Sequence, residues 1–198
     1  MRLAPDDTVI EIGHEQFRLR PSLRVAYRLE KQRGLNRLVD DLRGGSARAI
    51  VEIIREAEPD SDFTRFIREF DDMPFQVRAA SLIEPLVGYM LELIGFDPDA
   101  EPAKEPQDET DAMPFAEYFE RLFELATGWL GWTPADAWDA TPSEIVRAYK
   151  GRVAMLKAIF GGEDKTALKA PATVAEARAK FKGVMERLRM RAESEKAA

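Results

Sequence analysis

The side chains that most often carry covalent chemistry are nearly missing here: cysteine is absent and histidine occurs once, as His14, among 198 residues. That removes thiolate nucleophiles, disulfide frameworks, Cys-ligated zinc, iron–sulfur clusters and multi-histidine metal sites, and leaves one imidazole for a Ser/His type of triad. His14 falls between two strand-like runs and reads as a turn residue. Carboxylates are plentiful, but those that sit together (Asp6 with Asp7, Asp40 with Asp41, Asp71 with Asp72) are sequence neighbours. Adjacent residues on a helix do not share a face, so they make poor acid–base pairs. Gly44-Gly45 and Gly161-Gly162 lack the strand before, the helix after and the Lys-Ser/Thr signature of a phosphate loop. No catalytic residue, cofactor or metal is expected.

What remains is residues that recognise. Arg18, Arg20, Arg24 and Arg28 alternate along a predicted strand and then step by four along a helix, so they can form one basic stripe. One reading is a solvated face paired with Glu11, Glu15 and Glu30. The other is docking to an acidic partner, such as the tether of a neighbouring copy, which makes the chain self-associate. Trp129, Trp132 and Trp138 form a second cluster. They fill the core of a small helical unit, or one or two stay exposed as anchors for a partner helix. Trp132, in the loop between Gly131 and Thr133, is the one expected to stay exposed.

These residues must be held by local structure, and the sequence predicts a mainly α protein that opens with a β-hairpin. Thr8 to Ile12 and Gln16 to Arg20 read as strands around a Gly13-His14-Glu15 turn, with Ile10, Ile12, Phe17 and Leu19 buried. Pro21-Ser22 starts a first helix that ends at Gly34, in a left-handed conformation. Helices carrying Leu35 to Leu42 and Ile50 to Ile54 follow, the latter capped by Ser46. Phe63, Phe66, Ile67 and Phe70 make a fourth helical face. A last segment, Pro74 to Ile94, contains Pro85, which predicts a kink or break near Ser81. Further on, Phe115, Phe119, Leu122, Ala126 and Trp129 recur at helical spacing up to Leu130. Thr133-Pro-Ala-Asp136 and Thr141-Pro-Ser-Glu144 are helix starts, the second launching Ile145, Tyr149, Val153, Leu156 and Phe160. Thr173-Val-Ala-Glu176 starts a final helix with a basic face at Arg178, Lys180, Lys182, Arg187 and Arg191, which acidic residues interrupt.

Charge divides the chain. Residues 1–98 carry 14 basic and 18 acidic groups, 99–112 carry 1 and 6, and 113–198 carry 14 and 12. The middle piece has no large apolar residue, so burial cannot offset the entropy of ordering it. It reads as an acidic flexible linker, with ends about 20 Å apart as a free coil, between a hairpin-plus-bundle module (1–98) and a small helical module (113–198). A net charge of -7 argues against a protein that grips nucleic acid. With no signal-like or membrane-length apolar run, the expected location is the cytoplasm, with no membrane partner.

Two stretches carry a resemblance. Thr8-Val-Ile-Glu-Ile-Gly13, Phe17-Arg-Leu-Arg-Pro-Ser-Leu-Arg24 and Tyr27-Arg-Leu-Glu30 resemble the tail assembly chaperones of gene transfer agents and related long-tailed bacteriophages. Trp129-Leu-Gly-Trp132, Ala137-Trp138, Ala140-Thr-Pro-Ser-Glu144 and Tyr149-Lys-Gly151 are similar to a second small family from the same tail-gene cluster. Such families usually occur as separate short chains or as a frameshifted pair sharing a start; one continuous chain with an acidic tether looks like the second arrangement. The resemblance implies a non-enzymatic role in virion assembly, in a phage, a prophage or a gene transfer agent: coating the helical tape-measure protein, chiefly through the front module, bringing tail-tube subunits to it through the rear module, and staying out of the finished tail. That work requires weak, repeated binding to apolar helix faces. The reading from another class is a helical regulatory adaptor or nucleic-acid-binding regulator that uses the stripe from Arg18 to Arg28.

Overall fold

A computed structural model of the chain describes residues 7–12, 15–60, 64, 68, 70, 74, 79–96 and 113–161. The acidic stretch 99–112, the helix expected from Thr173, the turn at His14 and the side chains of Ile12, Glu15, Phe63, Phe66 and Ile67 lie outside them.

Strands β1 (Thr8–Ile12) and β2 (Glu15–Leu19) pair antiparallel with Ile10 opposite Phe17. The pleat sends alternate side chains to opposite faces. Ile10, Phe17 and Leu19 are buried, while Val9 and Arg18 are exposed. An isolated hairpin is marginal in water, and this one lies against the helices that follow.

Those helices are set by their caps. In α1 (Leu23–Gln32) the Ser22 hydroxyl accepts from the Val25 amide, and in α3 (Ala47–Ala57) Ser46 does the same for Ala49. Between them, Gly34 has a positive φ of 85°, which ends α1 and starts α2 (Leu35–Arg43) in one residue. Glycine has no side chain with which to cap, and Glu30 takes over: the Leu35 amide donates to its Oε2 at 2.8 Å. At the end of α1, Arg33 reaches Asp41 of α2 at 2.7 Å and Glu52 of α3 at 2.6 Å, joining the three helices.

The break expected near Ser81 is a π-helical turn, Ala79–Ile83, followed by α4 (Glu84–Leu93) with Pro85 in its first turn. The backbone is already helical at Ile83 (φ -67°, ψ -46°), so the chain stays helical into Pro85, and the wider π-helical turn before it is where the ladder adjusts to the N–H that proline lacks.

From residue 113 onward come α5 (Phe115–Glu124), a second π-helical turn (Leu125–Trp129), α6 (Pro134–Asp139) and α7 (Pro142–Phe160). Both expected threonine caps form, and at α7 the capping box is complete: the Glu144 amide donates to Thr141 Oγ1 at 3.1 Å and the Thr141 amide donates to Glu144 Oε2 at 2.8 Å.

Helix α1 lies at the centre, touching α2, α3 and α4 from the front of the chain and α5 and α6 from the rear. One continuous core therefore includes Leu29 and Ile53 from the front of the chain and Phe119, Leu122 and Ile145 from the rear. A backbone bond seals the join: the first-turn Leu23 amide, which no intrahelical carbonyl satisfies, donates to the Ala140 carbonyl at 2.8 Å. Close by, the buried Tyr89 hydroxyl donates to the Arg20 carbonyl at 3.1 Å.

Gly95 sits at the same join with φ of 80°, where an added Cβ lies 3.2 Å from the Tyr118 hydroxyl and 3.4 Å from Pro142 Cβ. Gly95→Ala combines backbone strain with crowding between the halves. It is expected to destabilise by about 1–3 kcal/mol, seen as a lower urea midpoint at unchanged slope. A midpoint at or above that of the parent chain contradicts this packing.

Burial also raises two tyrosines. Tyr118 is pushed up to about 12 from 10.0 by desolvation. Tyr89 is raised further, by burial first and then by nearby carboxylates led by Glu92. A raised tyrosine keeps its proton in the folded chain while the unfolded chain loses it. Stability is therefore complete below pH 10 and falls as pH climbs towards 12, by about 1.4 kcal/mol per pH unit for each group. Urea unfolding at stepped alkaline pH should show this loss, and Tyr118→Phe should make it shallower; a flat profile to pH 12 contradicts it.

Candidate functional site

The arginine stripe does not form a free basic face. Arg20 Nε donates to the Asp139 carbonyl at 3.3 Å, and Arg24 meets the Asp139 carboxylate at 3.3 Å, both at the end of α6. Arg28 turns the other way, to Glu56 of α3 at 3.1 Å. The guanidinium of Arg18 has no ion pair among the described residues, although its backbone amide donates to Glu58. The stripe is thus divided between two interfaces, and two of the expected partners, Glu11 and Glu30, are engaged elsewhere, while the side chain of Glu15 lies outside the described residues. Glu11 instead accepts from Gln16, and Glu30 caps α2. The carboxylates that do serve lie far along the sequence, on surfaces that meet α1 only once the chain is folded.

The tryptophans separate cleanly. Trp138 stacks on Phe123 at 4.5 Å and packs on Tyr27 at 5.6 Å, so it fastens α6 to α1 and α5. Trp132 is half-buried against the core. Trp129 is the exposed one, at 59%, which corrects the expectation that Trp132 would be.

The cause is the π-helical turn at Leu125–Trp129. A π-bulge inserts one residue and shifts the helical phase. After the buried Ala126 the inward position therefore falls on Leu130, and Trp129 rotates to solvent. The Trp132 amide then donates to the Ala126 carbonyl at 3.0 Å, folding that ring back onto the core. Sequence spacing alone put Trp129 on the buried face. The signals available were Gly128 and Thr127, whose hydroxyl donates to the Phe123 carbonyl at 2.9 Å.

Trp129 stands edge-on to Tyr149 of α7 at 6.4 Å and 88°. From Tyr149 the apolar positions of α7 continue as Val153, Leu156 and Phe160, steps of four, three and four, which stay on one face of a helix. The first half of the stripe, Ile145 and Tyr149, is buried; the second half runs past the edge of the core. At its far end Phe160 is 77% exposed and Ile159 61%, with Met155 beside them. At 1.5 Å per residue, Tyr149 to Phe160 spans about 16 Å, three helical turns. Trp129, Met155, Ile159 and Phe160 are four of the five large apolar residues exposed among the described residues. The fifth, Val9, lies on the hairpin.

A concavity between α2, α4 and the start of α5 is lined by Leu35, Val39, Val87, Met90, Ile94 and Phe115. Its volume of about 50 Å³ is far below the ~300 Å³ or more of a small-molecule pocket. Among the described residues no three His, Cys, Asp or Glu side chains are grouped to hold a metal ion, and no helix is long and apolar enough to cross a membrane. The surface best equipped to recognise anything is therefore apolar, helical and convex. No family model, curated protein or solved structure matches the chain.

Proposed function

We propose that this chain is a helix-binding assembly factor of the phage-tail type, which keeps a tape-measure protein soluble and helps recruit tail-tube subunits to it, with no chemistry of its own. One observation carries the reading, and it puts client binding at the rear of the chain instead of in residues 1–98 where it was expected: the apolar stripe of α7 leaves the core and continues exposed, with Trp129 beside it. A row of apolar side chains at helical spacing is the complement of an amphipathic helix. A tape-measure protein offers such faces many times over, so modest affinity per site is enough. The sequence resemblance points the same way. The reading as a nucleic-acid-binding regulator has less behind it, because Arg20, Arg24 and Arg28 are engaged within the chain.

Co-expression tests the proposal. With this chain present, the soluble yield of a tape-measure protein should rise, and the two should co-elute on a sizing column. Unchanged yield together with separate elution would rule it out.

A further inference from the structure

We infer that the exposed face of α7 selects acidic amphipathic helices. This deepens the reading above and rests on it. Helix α7 has one acidic residue, Glu144, and its carboxylate is committed to the capping box at Thr141. Every charged residue after it is basic: Arg147, Lys150, Arg152 and Lys157. Lys150 and Arg152 are exposed. At 100° per residue, Lys150 borders one side of the Tyr149–Val153–Leu156–Phe160 stripe, and Arg152 lies on its other side, between it and the row formed by Met155 and Ile159. The exposed Lys150 and Arg152 thus flank the Tyr149–Phe160 stripe on its two sides.

The same charges weigh against occupants from within the chain. A second copy facing α7 with its own α7 brings like charge against like. Residues 162–198 hold nine basic and six acidic groups, so this tail also arrives with positive charge. The acidic stretch 99–112 has the right sign but no large apolar side chain to lay on Leu156 and Phe160. An occupant that matches both features is a separate helix with an apolar stripe flanked by Asp and Glu. Attraction of this kind acts chiefly on encounter and on choice of partner, and weakens with salt.

The test uses the full chain and two synthetic helical peptides of about 18 residues, five turns, with identical apolar positions. One carries Glu at the flanking positions and the other Lys; binding is read by fluorescence anisotropy of a dye on the peptide. At about 50 mM salt the Glu peptide should bind about ten-fold more tightly, and the gap should close by about 500 mM. The double variant Lys150→Glu with Arg152→Glu should lose or invert the preference.

Equal binding of both peptides overturns the charge inference and leaves helix binding standing. Binding of neither overturns helix binding itself. Because the chain has no native cysteine, Phe160→Cys with Phe181→Cys gives a clean check. A disulfide closing within one molecule seats the chain's own tail on the face, and one linking two molecules seats a second copy; either result overturns the inference. Absence of a disulfide alongside the Glu preference supports it.

Discussion

Phe119→Ala is expected to lower the unfolding free energy by about 3–5 kcal/mol and to melt both ends of the chain together. Phe119 has no exposed surface. Its ring stacks on Phe115 at 6.1 Å and tilts against Tyr118 at 5.5 Å. Deleting it leaves a cavity where α5 meets α1, in a core to which both sides of the tether contribute. A loss of that size takes a large share of the 5–15 kcal/mol typical of a domain. If the halves share one core, a single cooperative transition moves to lower denaturant for every probe, including hairpin amides that Phe119 never touches. Two transitions, with only the rear one shifted, would show the halves to be independent modules.

The second large effect falls on binding and spares the fold. Ile159→Asp with Phe160→Asp should weaken capture of an amphipathic helix at least about 30-fold, the loss usual for an interface hot spot. Both side chains are mostly exposed, at 61% and 77%, so little core packing is lost and the thermal midpoint should hold. Trp129→Ala should act in the same direction, by removing an aromatic anchor that the fold leaves in solvent. A fall in thermal stability matching the fall in binding would mean that these residues are covered in the folded chain, and the surface would lose its claim to a client.

Much of this architecture could be read locally. The hairpin, the Ser22, Ser46, Thr133 and Thr141 caps and the break before Pro85 depend on a few adjacent residues, and each forms as its sequence indicates. What could not be read depends on distance. Nothing near Arg20 or Arg24 points to Asp139, more than a hundred positions away, nor marks the Ala140 carbonyl as the acceptor for Leu23. Leu23 to Leu29 fits equally well a helix that packs on one side or one that packs on two. The acidic tether invites a division into two modules, whereas α1 serves as core for the segments before and after it.

The candidate surface was legible only in part. Ile145, Tyr149, Val153, Leu156 and Phe160 stand out as one apolar face, but periodicity cannot say where the core ends along it. That limit appears only when α5 and the second π-helical turn are in place and cover the face as far as Tyr149. The choice among tryptophans turned on a phase shift of one residue, which a regular helical spacing does not contain.

Hydrogen–deuterium exchange of the full chain, alone and with the tape-measure protein proposed as its client, tests the central claim most directly. Binding through the apolar end of α7 should slow exchange at 127–131 and 150–161 and leave the hairpin and α3 unchanged. No protection anywhere, or protection confined to the region of Arg18 to Arg28, would contradict the account.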